Sequence, residues 1–356
     1  MTHTQTERGH LIGIIGTGPA GLYATKKLTE AGAHVVLFNR DIKSGGLAEY
    51  GIFPTKHKMK EGLRKQFRRI LAHPQVDYYG NCSVGEKGEL TLADLHKLGF
   101  AAVICAAGAQ GTKSLGLPGE DAVGVVHAKD LVYHYNHLPP FSQRQFPIGR
   151  RVAIIGMGNV MIDIAHYLLR LRQDVEDVLV VARRGPAERK YDEIPLETVV
   201  FAIGDRVDDS IGLPYAHGEF LTSAQADTSK TDGAAYQVYD PVHHKVLEHT
   251  YVVGWSRKAS DGLVGKAKQD AEIGVETVLK ALATIPAPDP AAVVERRQRI
   301  RRLVEERCVY PITKDEIALL EEAERQIAVQ AQSEEYKFDS NEAMLEAINC
   351  QKARMT

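Results

Sequence analysis

Three glycines near the start of the chain have the spacing of a turn that binds phosphate groups. Residues 16–21 read Gly-Thr-Gly-Pro-Ala-Gly, a Gly-x-Gly-x-x-Gly sequence. In such a turn the first glycine allows a tight bend, the second lets a pyrophosphate approach the backbone, and the third lets a helix pack close to a strand. The positive end of the helix dipole then faces the phosphate. The alternative is a turn whose glycines serve packing alone.

A second turn of this type occurs at residues 156–161, which read Gly-Met-Gly-Asn-Val-Met. Met161 replaces the third glycine, so the helix and the sheet must stand further apart or shift. Arg183 and Arg184 follow the second strand of this unit. Two guanidinium groups at that place can bind the 2′-phosphate that distinguishes NADP from NAD. The alternative is a solvated arginine pair.

Each glycine turn lies in a segment that alternates between strand, helix and strand. Short apolar runs that end at glycine are typical of buried parallel strands, and apolar residues three or four positions apart predict helices. The first unit has a strand at 11–16, a helix at 19–31 and a strand at 34–38, and the second has a strand at 151–156, a helix at 159–172 and a strand at 178–182. Such units build parallel sheets.

The segments outside these two units are less regular. We expect further elements as follows: a hairpin region at 76–85, strands at 101–108, 198–204 and 250–255, a proline-rich linker at 137–149 and a helix at 263–282. Residues 291–349 are charged and have helical periodicity. They predict a helical tail packed on the body of the protein, and a long interaction helix is the alternative.

The composition restricts the class of protein. The chain has 356 residues, 44% hydrophobic and 25% charged, which suggests two or three domains and excludes a disordered chain. Its formal charge of -2 gives no overall attraction to nucleic acid or to anionic membranes. No apolar run approaches the roughly 18 residues of a membrane span, and the polar start lacks the apolar segment of a secretory signal. We therefore expect a cytoplasmic protein that binds neither nucleic acid nor a membrane.

The four cysteines, Cys82, Cys105, Cys308 and Cys350, include no Cys-x-x-Cys pair. This spacing disfavours a dithiol redox centre, a zinc site and an iron–sulfur cluster, so we expect ordinary thiols and no bound metal. Two dinucleotide turns without such a dithiol suggest one bound flavin and one exchanging nicotinamide.

Several blocks of the sequence together resemble a known family. They are GIIGTGPAGLYA at 13–24, GGLAEYGI at 45–52, YYGNCSVG at 78–85, the Gly-Asn-Val-x-x-Asp stretch at 158–163, VVARRGP at 180–186 and VVGWSRKASDGLVG at 252–265. In this order they resemble the adrenodoxin-reductase type of ferredoxin–NADP reductase. The chain is also similar to the flavoprotein subunit of glutamate synthase, whose cysteine-rich cluster region is absent here.

The resemblance implies an α/β fold of the glutathione-reductase-like type with two Rossmann-type dinucleotide-binding domains. An FAD-binding domain would comprise residues 1–115 and 213–285, an NAD(P)-binding domain residues 116–212, and a helical C-terminal extension residues 286–356. The nucleotide domain would be truncated, with most strands beyond its first pair missing. A glutamate that the family places near the nicotinamide would fall about at Pro195, with Glu193 and Glu197 nearby.

The resemblance also implies an FAD site. Its residues would be Gly16, Gly18, Pro19 and Ala20 at the pyrophosphate, Gly46 and Leu47 along the ribityl chain, Val84 at the adenine through its backbone, Trp255, Gly262, Leu263 and Val264 at the isoalloxazine, and also Arg40, Ala107 and Gly108. An acidic residue normally ends the second strand and holds the ribose. Here Asn39 stands in that place and can still bind a ribose hydroxyl. For Trp255 the alternative is a core aromatic.

The NADPH site would comprise Gly156, Gly158, Asn159, Val160, Arg183 and Arg184. His57 matches a histidine that the family places near the flavin, and we assign His57 and Trp255 to the catalytic site. The alternative for His57 is a surface histidine in a basic helix. Hydride transfer needs orientation more than proton abstraction, so it requires no general base.

A basic stretch follows, at residues 56–70, with seven Lys or Arg and one acidic residue. Its apolar residues Met59, Leu63, Phe67 and Ile70 fall on one helical face, so the helix can dock while its charges stay solvated. Lys56–Arg69 is then a candidate docking face for an acidic ferredoxin-like electron carrier. A merely solvated face is the alternative, here and at the basic run 296–302.

These features lead to three hypotheses. The first is an FAD-dependent oxidoreductase that passes electrons between NADPH and a ferredoxin-like iron–sulfur protein by hydride transfer to flavin N5. The second is a non-catalytic relay flavoprotein, a subunit of a larger electron-transfer complex with a vestigial nucleotide site. The third is an enzyme that reduces quinones or other small molecules. The sequence leaves open whether the chain forms a homo-oligomer or a complex.

Overall fold

A computed structural model describes residues 9–172, 174–182, 194–226 and 235–355 of the chain. The strands are β1 Leu11–Ile15, β2 His34–Phe38, β3 Val76–Tyr79, β4 Ala102–Cys105, β5 Gly111–Thr112, β6 Val125–His127, β7 Arg151–Ile155, β8 Asp177–Val181, β9 Thr198–Phe201, β10 Asp205–Arg206, β11 Tyr215–Ala216, β12 Glu219–Phe220, β13 Gln237–Asp240 and β14 Lys245–Val252. The helices are α1 Pro19–Glu30, α2 Leu47–Tyr50, α3 His57–Leu71, α4 Leu92–Lys97, α5 Ala128–Tyr135, α6 Asn159–Leu171, α7 Ser223–Ala226, α8 Val264–Leu282, α9 Pro290–Arg307, α10 Lys314–Gln330 and α11 Asn341–Met355.

The larger sheet contains six strands in the order β13-β14-β4-β1-β2-β3. Its neighbours pair in parallel, except that β13 and β14 are antiparallel. Strand β1 lies inside the sheet, and all five of its residues are buried, as expected for a strand covered on both faces. The carboxyl ends of β1 and β4 therefore lie at the same edge, where the first glycine turn follows.

The smaller sheet contains four strands in the order β6-β9-β7-β8, all paired in parallel. Strands β6 and β9 thus add to the β7–β8 pair, although the sequence suggested that most strands beyond that pair are missing. Between the two sheets, β5 and β10 form a short antiparallel ribbon. The chain therefore forms two parallel α/β units, as the sequence predicts.

Helices α1 and α8 pack together on one face of the larger sheet, with Leu22, Leu28, Val275 and Val278 fully buried between them and the strands. The C-terminal helices share these cores. Helix α9 contributes apolar side chains to the opposite face of the sheet, and α10 and α11 contribute to the α1 side. The predicted helical tail is therefore present and packs on the body of the protein.

Residues 76–85 do not form the expected hairpin. Residues 76–79 form β3, which pairs in parallel with β2, and Asn81, at a φ of 53°, follows it; among the described residues no antiparallel strand returns along β3. Gly80 instead pairs with Ile312, which lies beyond α9 and 232 positions further along the chain. The glycine and asparagine signalled a turn, but the sequence gives no indication of such a distant partner.

Three further expectations differ from the structure. Cys82 and Cys308 are not ordinary thiols, because the structure joins them in a disulfide between the segment after β3 and the end of α9. Met59 does not lie on the buried face of α3, where Phe67 and Ile70 are buried; its side chain is 59% exposed. The last predicted strand is also longer than expected, since β14 begins at Lys245.

Within the described ranges, no helix combines the length and the apolar character that crossing a membrane requires.

Candidate functional site

The first glycine turn connects β1 to α1, and packing explains two of its three glycines. Gly16 has a φ of +96°, and a Cβ there would lie 2.6 Å from the carbonyl oxygen of Ala106. A Cβ on Gly21 would overlap the carbonyl oxygen of Gly16. Both positions therefore require glycine for the close approach of α1, β1 and the segment after β4.

Gly18 differs from Gly16 and Gly21, because no packing contact explains why this position is a glycine. Its φ of -68° is open to any residue, and a Cβ there would meet no atom within 4 Å. Gly18 precedes α1, which starts with Pro19 and has no side-chain cap. The first N–H groups of a helix have no intrahelical acceptor, so the turn presents donors to an open space beside Gly18.

Gly46 lines the same space. A Cβ on Gly46 would lie 3.0 Å from the Cα of Gly18, and the N–H of Gly45 donates to the carbonyl of Thr17 at 2.8 Å. The backbone before α2 therefore runs alongside the glycine turn, with Leu47 as the first residue of that helix. This juxtaposition brings together the residues predicted for the pyrophosphate and for the ribityl chain.

Asn39 follows β2, and its side-chain amide hydrogen-bonds within the protein. Its Oδ1 accepts from the N–H of Thr17 at 3.2 Å, and its Nδ2 donates to the carbonyls of Asp41 at 2.8 Å and Lys43 at 3.0 Å. Asn39 thus holds the glycine turn against the loop after β2, and its ribose contact stays a prediction. Arg40 beside it is half-exposed, with Nη2 3.5 Å from Oε1 of Gln110.

The backbone N–H and carbonyl of Val84 point away from Leu90, its bridge partner. The N–H of Gly85 donates to the carbonyl of Leu90 at 2.9 Å, and the N–H of Leu90 donates to the carbonyl of Ser83 at 3.1 Å. Neither bond uses the N–H or the carbonyl of Val84 itself. A backbone contact from Val84 to an adenine, as predicted, is compatible with this arrangement.

Ala107 and Gly108 follow β4 and connect the glycine turn to the tryptophan segment. A Cβ on Gly16 would lie 2.8 Å from the Cα of Ala107, and the N–H of Gly108 donates to the Oγ of Ser256 at 2.9 Å. Ser256 is adjacent to Trp255 in a short helical turn. The predicted residues 107, 108 and 255 therefore belong to one continuous group.

Trp255 lies beside the start of α1. A Cβ on Gly254 would overlap the Cβ of Ala20. The short helical turn Gly254–Ser256 therefore packs on the first turn of α1. Trp255 is partly buried, and its Nε1 donates to the carbonyl of Asp261 at 3.3 Å. Leu263 is 71% exposed and precedes α8, whose first residue is Val264 and which also lacks a side-chain cap. Gly262, at a φ of 75°, begins this exposed segment.

Asp270 of α8 holds this turn in place, a role that the sequence analysis missed. Its Oδ2 accepts from the N–H of Gly254 at 2.6 Å, and its Oδ1 accepts from Nε of Arg257 at 2.9 Å and from the hydroxyl of Tyr236 at 3.3 Å. The only sequence signal was the position of Asp270, nearly two helical turns past the exposed start of α8.

His57 is located at the start of α3, with Nδ1 2.9 Å from Oε2 of Glu334. The neighbouring Lys60 is buried and donates to Oδ1 of Asn136 at 3.0 Å. In the part of the chain that the structure describes, no hydrogen bond or ring contact joins His57 to Trp255. The two side chains assigned to the catalytic site are therefore not brought into direct contact, and the role of His57 stays a prediction.

The second glycine turn repeats the first at Gly156 and Gly158. Gly156 has a φ of +128°, and a Cβ there would overlap the carbonyl oxygen of Ala202, whereas a Cβ on Gly158 would meet nothing within 4 Å. Met161 donates its N–H to the carbonyl of Gly158 at 3.0 Å, so α6 starts with a tighter i to i−3 bond. The first turn instead has an i to i−4 bond from Leu22 to Gly18.

The remaining residues predicted for the nucleotide site fall into three groups. Asn159 and Val160 are exposed at the start of α6. Arg183, Arg184 and Glu193 lie outside the described residues. Glu197 accepts from the N–H of Arg151 at 3.2 Å, so its carboxylate binds the backbone at the start of β7.

A group of charged residues between the two sheets was also missed. Burial raises the pKa of Asp205 to about 6, against the opposing influence of Lys129 and Lys113. Burial in turn lowers the pKa of Lys129. Asp205 belongs to β10, and the Oγ of Ser260 accepts from its backbone N–H at 3.0 Å. This ribbon therefore places an ionisable carboxyl group beside the segment that carries Trp255.

Comparison with known proteins agrees with this geometry. Residues 11–194 match the family described as pyridine nucleotide-disulphide oxidoreductase. The NADPH:adrenodoxin oxidoreductase of Arabidopsis thaliana is 32% identical over 255 residues, which covers 64% of this chain and 50% of that protein. The NADPH-ferredoxin reductase FprA of Mycobacterium leprae is 32% identical over 213 residues, which covers 52% of this chain and 46% of that protein.

The fold agrees as well. The structure of Mycobacterium tuberculosis FprA in complex with NADPH superposes with a TM-score of 0.79 at 20% identity, covering 97% of this chain and 100% of that chain. The chain spans about half the length of the curated relatives that it matches. The predicted glutathione-reductase-like α/β fold is confirmed, and the relatives are of the type that the sequence resembles. The chain belongs to the pyridine nucleotide-disulphide oxidoreductase family.

Proposed function

We propose that this chain binds FAD at the first glycine turn and NADP(H) at the second, and that it passes electrons between NADPH and a ferredoxin-like iron–sulfur protein. The observation that carries the proposal is Gly18. It precedes an uncapped helix, faces an open space and borders Gly46, although no packing contact requires glycine there. The named functions of the matched relatives, NADPH:adrenodoxin oxidoreductase and NADPH-ferredoxin reductase, support the same assignment.

The residues that would hold FAD are those gathered around this space. Amides at the start of α1 would bind the pyrophosphate, with Gly18 and Gly46 allowing its approach. Arg40 would contact the adenosine side, and the backbone of Val84, which takes no part in the bonds of its neighbours to Leu90, would contact the adenine. The exposed segment from Gly262 to Val264 would border the ring system, with the amides at the start of α8 directed to it.

When bound, FAD supplies the chemistry of accepting a hydride from a nicotinamide and passing electrons onward. The residues of this chain contribute binding and orientation. Trp255, held by Gly254 against Ala20, would fix one side of the ring pocket. Asp270 keeps that turn rigid through the N–H of Gly254. We assign no proton transfer to His57, whose nearest charged partner is Glu334.

We further propose that FAD binding belongs to residues 1–115 and 213–285 and nucleotide binding to residues 116–212. The six-stranded sheet takes its strands from the first two ranges and the four-stranded sheet from the third. A cytoplasmic location stays a prediction from the sequence, because some of the matched relatives are named as mitochondrial proteins.

A substitution at Gly18 tests the flavin site. Gly18→Ala adds a methyl group that meets nothing in the protein and restricts the unfolded chain, so the apoprotein should unfold at the same or a slightly higher denaturant concentration than the wild type. The same methyl group would occupy the space for the pyrophosphate, and the dissociation constant for FAD should rise at least about tenfold, a loss of about 1.4 kcal/mol. Gly16→Ala is the structural control, because its φ of +96° predicts a destabilised apoprotein.

The proposal fails if Gly18→Ala binds FAD as tightly as the wild type, since the turn would then serve packing alone. Anaerobic titration with NADPH and with NADH tests the second half. Prompt bleaching of the flavin by NADPH, lost in Gly158→Ala and weakened in Arg183→Ala, supports the nucleotide site. A flavin that dithionite reduces and neither nucleotide does would instead indicate the relay flavoprotein. Two features favour the relay flavoprotein: the second glycine turn is exposed, and Met161 replaces its third glycine.

A further inference from the structure

Phe53 follows α2 in the unit of the six-stranded sheet, but its side chain is buried in the core of the four-stranded unit, which comprises β6–β9, α5 and α6. It is 1% exposed and belongs to the core that contains Leu131, Ile164 and Val200. In the part of the chain that the structure describes, every other buried member of this core lies between positions 128 and 200. Phe53 is therefore a contact between the two units.

Two aromatic side chains of the four-stranded unit hold the Phe53 ring. The ring stacks on His166 of α6, with centroids 4.6 Å apart and 18° between the planes, and it meets Tyr135 of α5 edge to face at 5.5 Å. Aromatic pairs have preferred geometries, so these contacts fix the orientation of the ring as well as its position. Pro54 restricts the backbone of Phe53 to extended conformations, and its ψ is 139°. The side chain and the backbone of Phe53 therefore both have little freedom.

Phe53 connects the two glycine turns through short, regular elements. Gly46 borders the first glycine turn, and Phe53 follows it after the single turn of α2. In the other unit, His166 lies about two turns into α6, the helix that begins at Asn159 of the second glycine turn. Because packed side chains and helices transmit displacements between sites, a shift at Phe53 would change the position of one glycine turn relative to the other.

A buried polar contact joins the two units at a second place. Lys60 of α3 and Asn136, which follows α5, are each 1% exposed, and Nζ of Lys60 donates to Oδ1 of Asn136 at 3.0 Å. A buried donor needs its acceptor, so this bond favours a single arrangement of α3 and α5.

The chain itself connects the units only weakly. It passes from one unit to the other through β5 and returns through β10, and these strands form a ribbon of two residues each. Such a short ribbon has little stability of its own, and units joined in this way move relative to each other unless their contact surface prevents it. The buried contacts of Phe53 and Lys60 supply that restriction.

We propose that Phe53 is a positioning residue that fixes the two units in one orientation and so places the nicotinamide against the flavin. The proposal rests on the proposed function, since it takes the first glycine turn as the flavin site and the second as the nucleotide site. In the reaction one hydride, a proton with two electrons, passes from NADPH, which is oxidised, to FAD, which is reduced. Its rate depends steeply on geometry, and a displacement of about 1 Å can cost about a hundredfold. Phe53 itself is assigned no contact with either cofactor.

Spin labels on the apoprotein test the fixed orientation without any cofactor. Lys26→Cys on α1 and Val123→Cys before β6 place one label on each unit, at side chains that are 51% and 94% exposed, and Cys350→Ser removes an exposed thiol. We expect a narrow distance distribution with Phe53 present and one at least about twice as broad in Phe53→Ala, because short linkers leave units mobile. A distribution that stays narrow in Phe53→Ala overturns the proposal.

Phe220→Ala is the matched control for the loss of a buried ring. Phe220 is also 1% exposed, but it belongs to a separate core with Val238 and Val252 of the larger sheet. Its removal should lower stability and leave the distance distribution narrow, because no contact between the units is lost. An equal broadening in Phe220→Ala and Phe53→Ala would show a general loosening of the fold and would overturn the specific role of Phe53.

Stopped-flow reduction of the FAD-loaded protein by NADPH tests the consequence for the reaction. At saturating NADPH, flavin bleaching should slow at least about tenfold in Phe53→Ala, while the dissociation constants for FAD and NADPH stay within about twofold of the wild type. Phe53→Leu keeps an apolar side chain in the core and should recover most of the rate. A wild type that NADPH does not reduce overturns the proposed function and with it the positioning role, whereas the label distances still decide whether Phe53 fixes the units.

Variants of His166 keep the test decisive if Phe53→Ala folds poorly. His166 is only half-buried, so His166→Ala removes the stacking partner of Phe53 at less cost to the core. It should broaden the distance distribution and slow the bleaching, and His166→Phe, which restores a flat ring, should reverse both effects. Wild-type distances and rates in His166→Ala overturn the proposal, as does a Phe53→Ala variant whose flavin is bleached as fast as that of the wild type.

Discussion

Lys337 and Glu49 are 288 residues apart in the sequence and form a buried ion pair three residues after Gly46. Nζ of Lys337 lies 3.0 Å from Oε1 of Glu49 and donates to its carbonyl oxygen at 2.7 Å. Lys43 and Arg64 also contact the Glu49 carboxylate, at 3.0 Å and 2.6 Å. Glu49 follows Gly46 by three positions, so the C-terminal segment fixes the backbone that borders Gly18.

Glu49→Gln should therefore destabilise the fold strongly. Burial alone would raise the pKa of Glu49, but Lys337, Lys43 and Arg64 hold that pKa well below its usual range. Removing the carboxylate leaves these cations buried without their common partner, and such losses amount to about 3–5 kcal/mol. Urea unfolding measures the effect, with Glu61→Gln as the control because Glu61 is 55% exposed and pairs at the surface. Equal losses in the two variants would contradict a structural role for this ion pair.

Asp205 should give the protein a defined pH dependence. Burial raises the pKa of Asp205 to about 6 from a usual 3.8, so between these values the folded protein retains a proton that the unfolded chain has released. Relative to Asp205→Asn, the wild type should lose stability as the pH rises from about 4 to 6 and show a constant deficit above that range. Melting temperatures of both proteins between pH 4 and about 8 measure the difference. Parallel curves across this range would show that Asp205 titrates normally.

Asp270→Asn should weaken flavin binding without unfolding the protein. The variant keeps an acceptor for the N–H of Gly254 but loses the charge that pairs with Arg257, so the Trp255 turn is held less firmly. We expect the dissociation constant for FAD to rise about tenfold, and the fluorescence of the single tryptophan in the apoprotein to report the looser turn. Glu272→Gln is a matched control on the same helix, since its carboxylate is exposed. Wild-type flavin affinity with unchanged fluorescence would exclude this positioning role.

The sequence predicts the two glycine turns and their flanking elements closely. Strands β1, β2 and β7 and helices α1, α6 and α8 begin and end within about two residues of the expected positions. Local information is sufficient there, because an apolar run before a glycine turn, followed by residues of helical period, specifies both elements within some 20 residues. Open space at Gly18 and Gly158 was likewise foreseeable from the spacing of the glycines.

Features that depend on distant partners were not predictable in this way. Nothing near Cys82 indicates Cys308, and nothing near Gly80 indicates Ile312. The ion pair of Lys337 with Glu49 has the same origin, since a single buried lysine carries no local signal. All three contacts join the C-terminal segment to residues between positions 49 and 82, so they depend on a tertiary arrangement that no short window of the sequence contains.

The structure leaves fewer basic residues on α3 for docking than the sequence suggests. The docking test can therefore target those residues alone. Lys60, Arg64 and Arg68 pair with acidic residues of the same chain, and Lys56 lies 3.4 Å from Asp163. The exposed basic residues that remain are Lys58, Lys65 and Arg69. They lie on one stripe of the helix surface because they are seven and four residues apart.

Charge reversal of this stripe should slow the encounter with an acidic ferredoxin. In Lys58→Glu/Lys65→Glu/Arg69→Glu, we expect the KM for ferredoxin to rise at least about tenfold at low ionic strength and the difference to shrink as salt screens the charges. Reduction of ferricyanide, which needs no protein docking, measures the reference activity. Arg299→Glu/Arg302→Glu on the exposed side of α9 is the control for the second basic run. If the α9 variant raises the KM and the α3 variant does not, the docking face lies on α9, because steering follows the location of the charge and not its total.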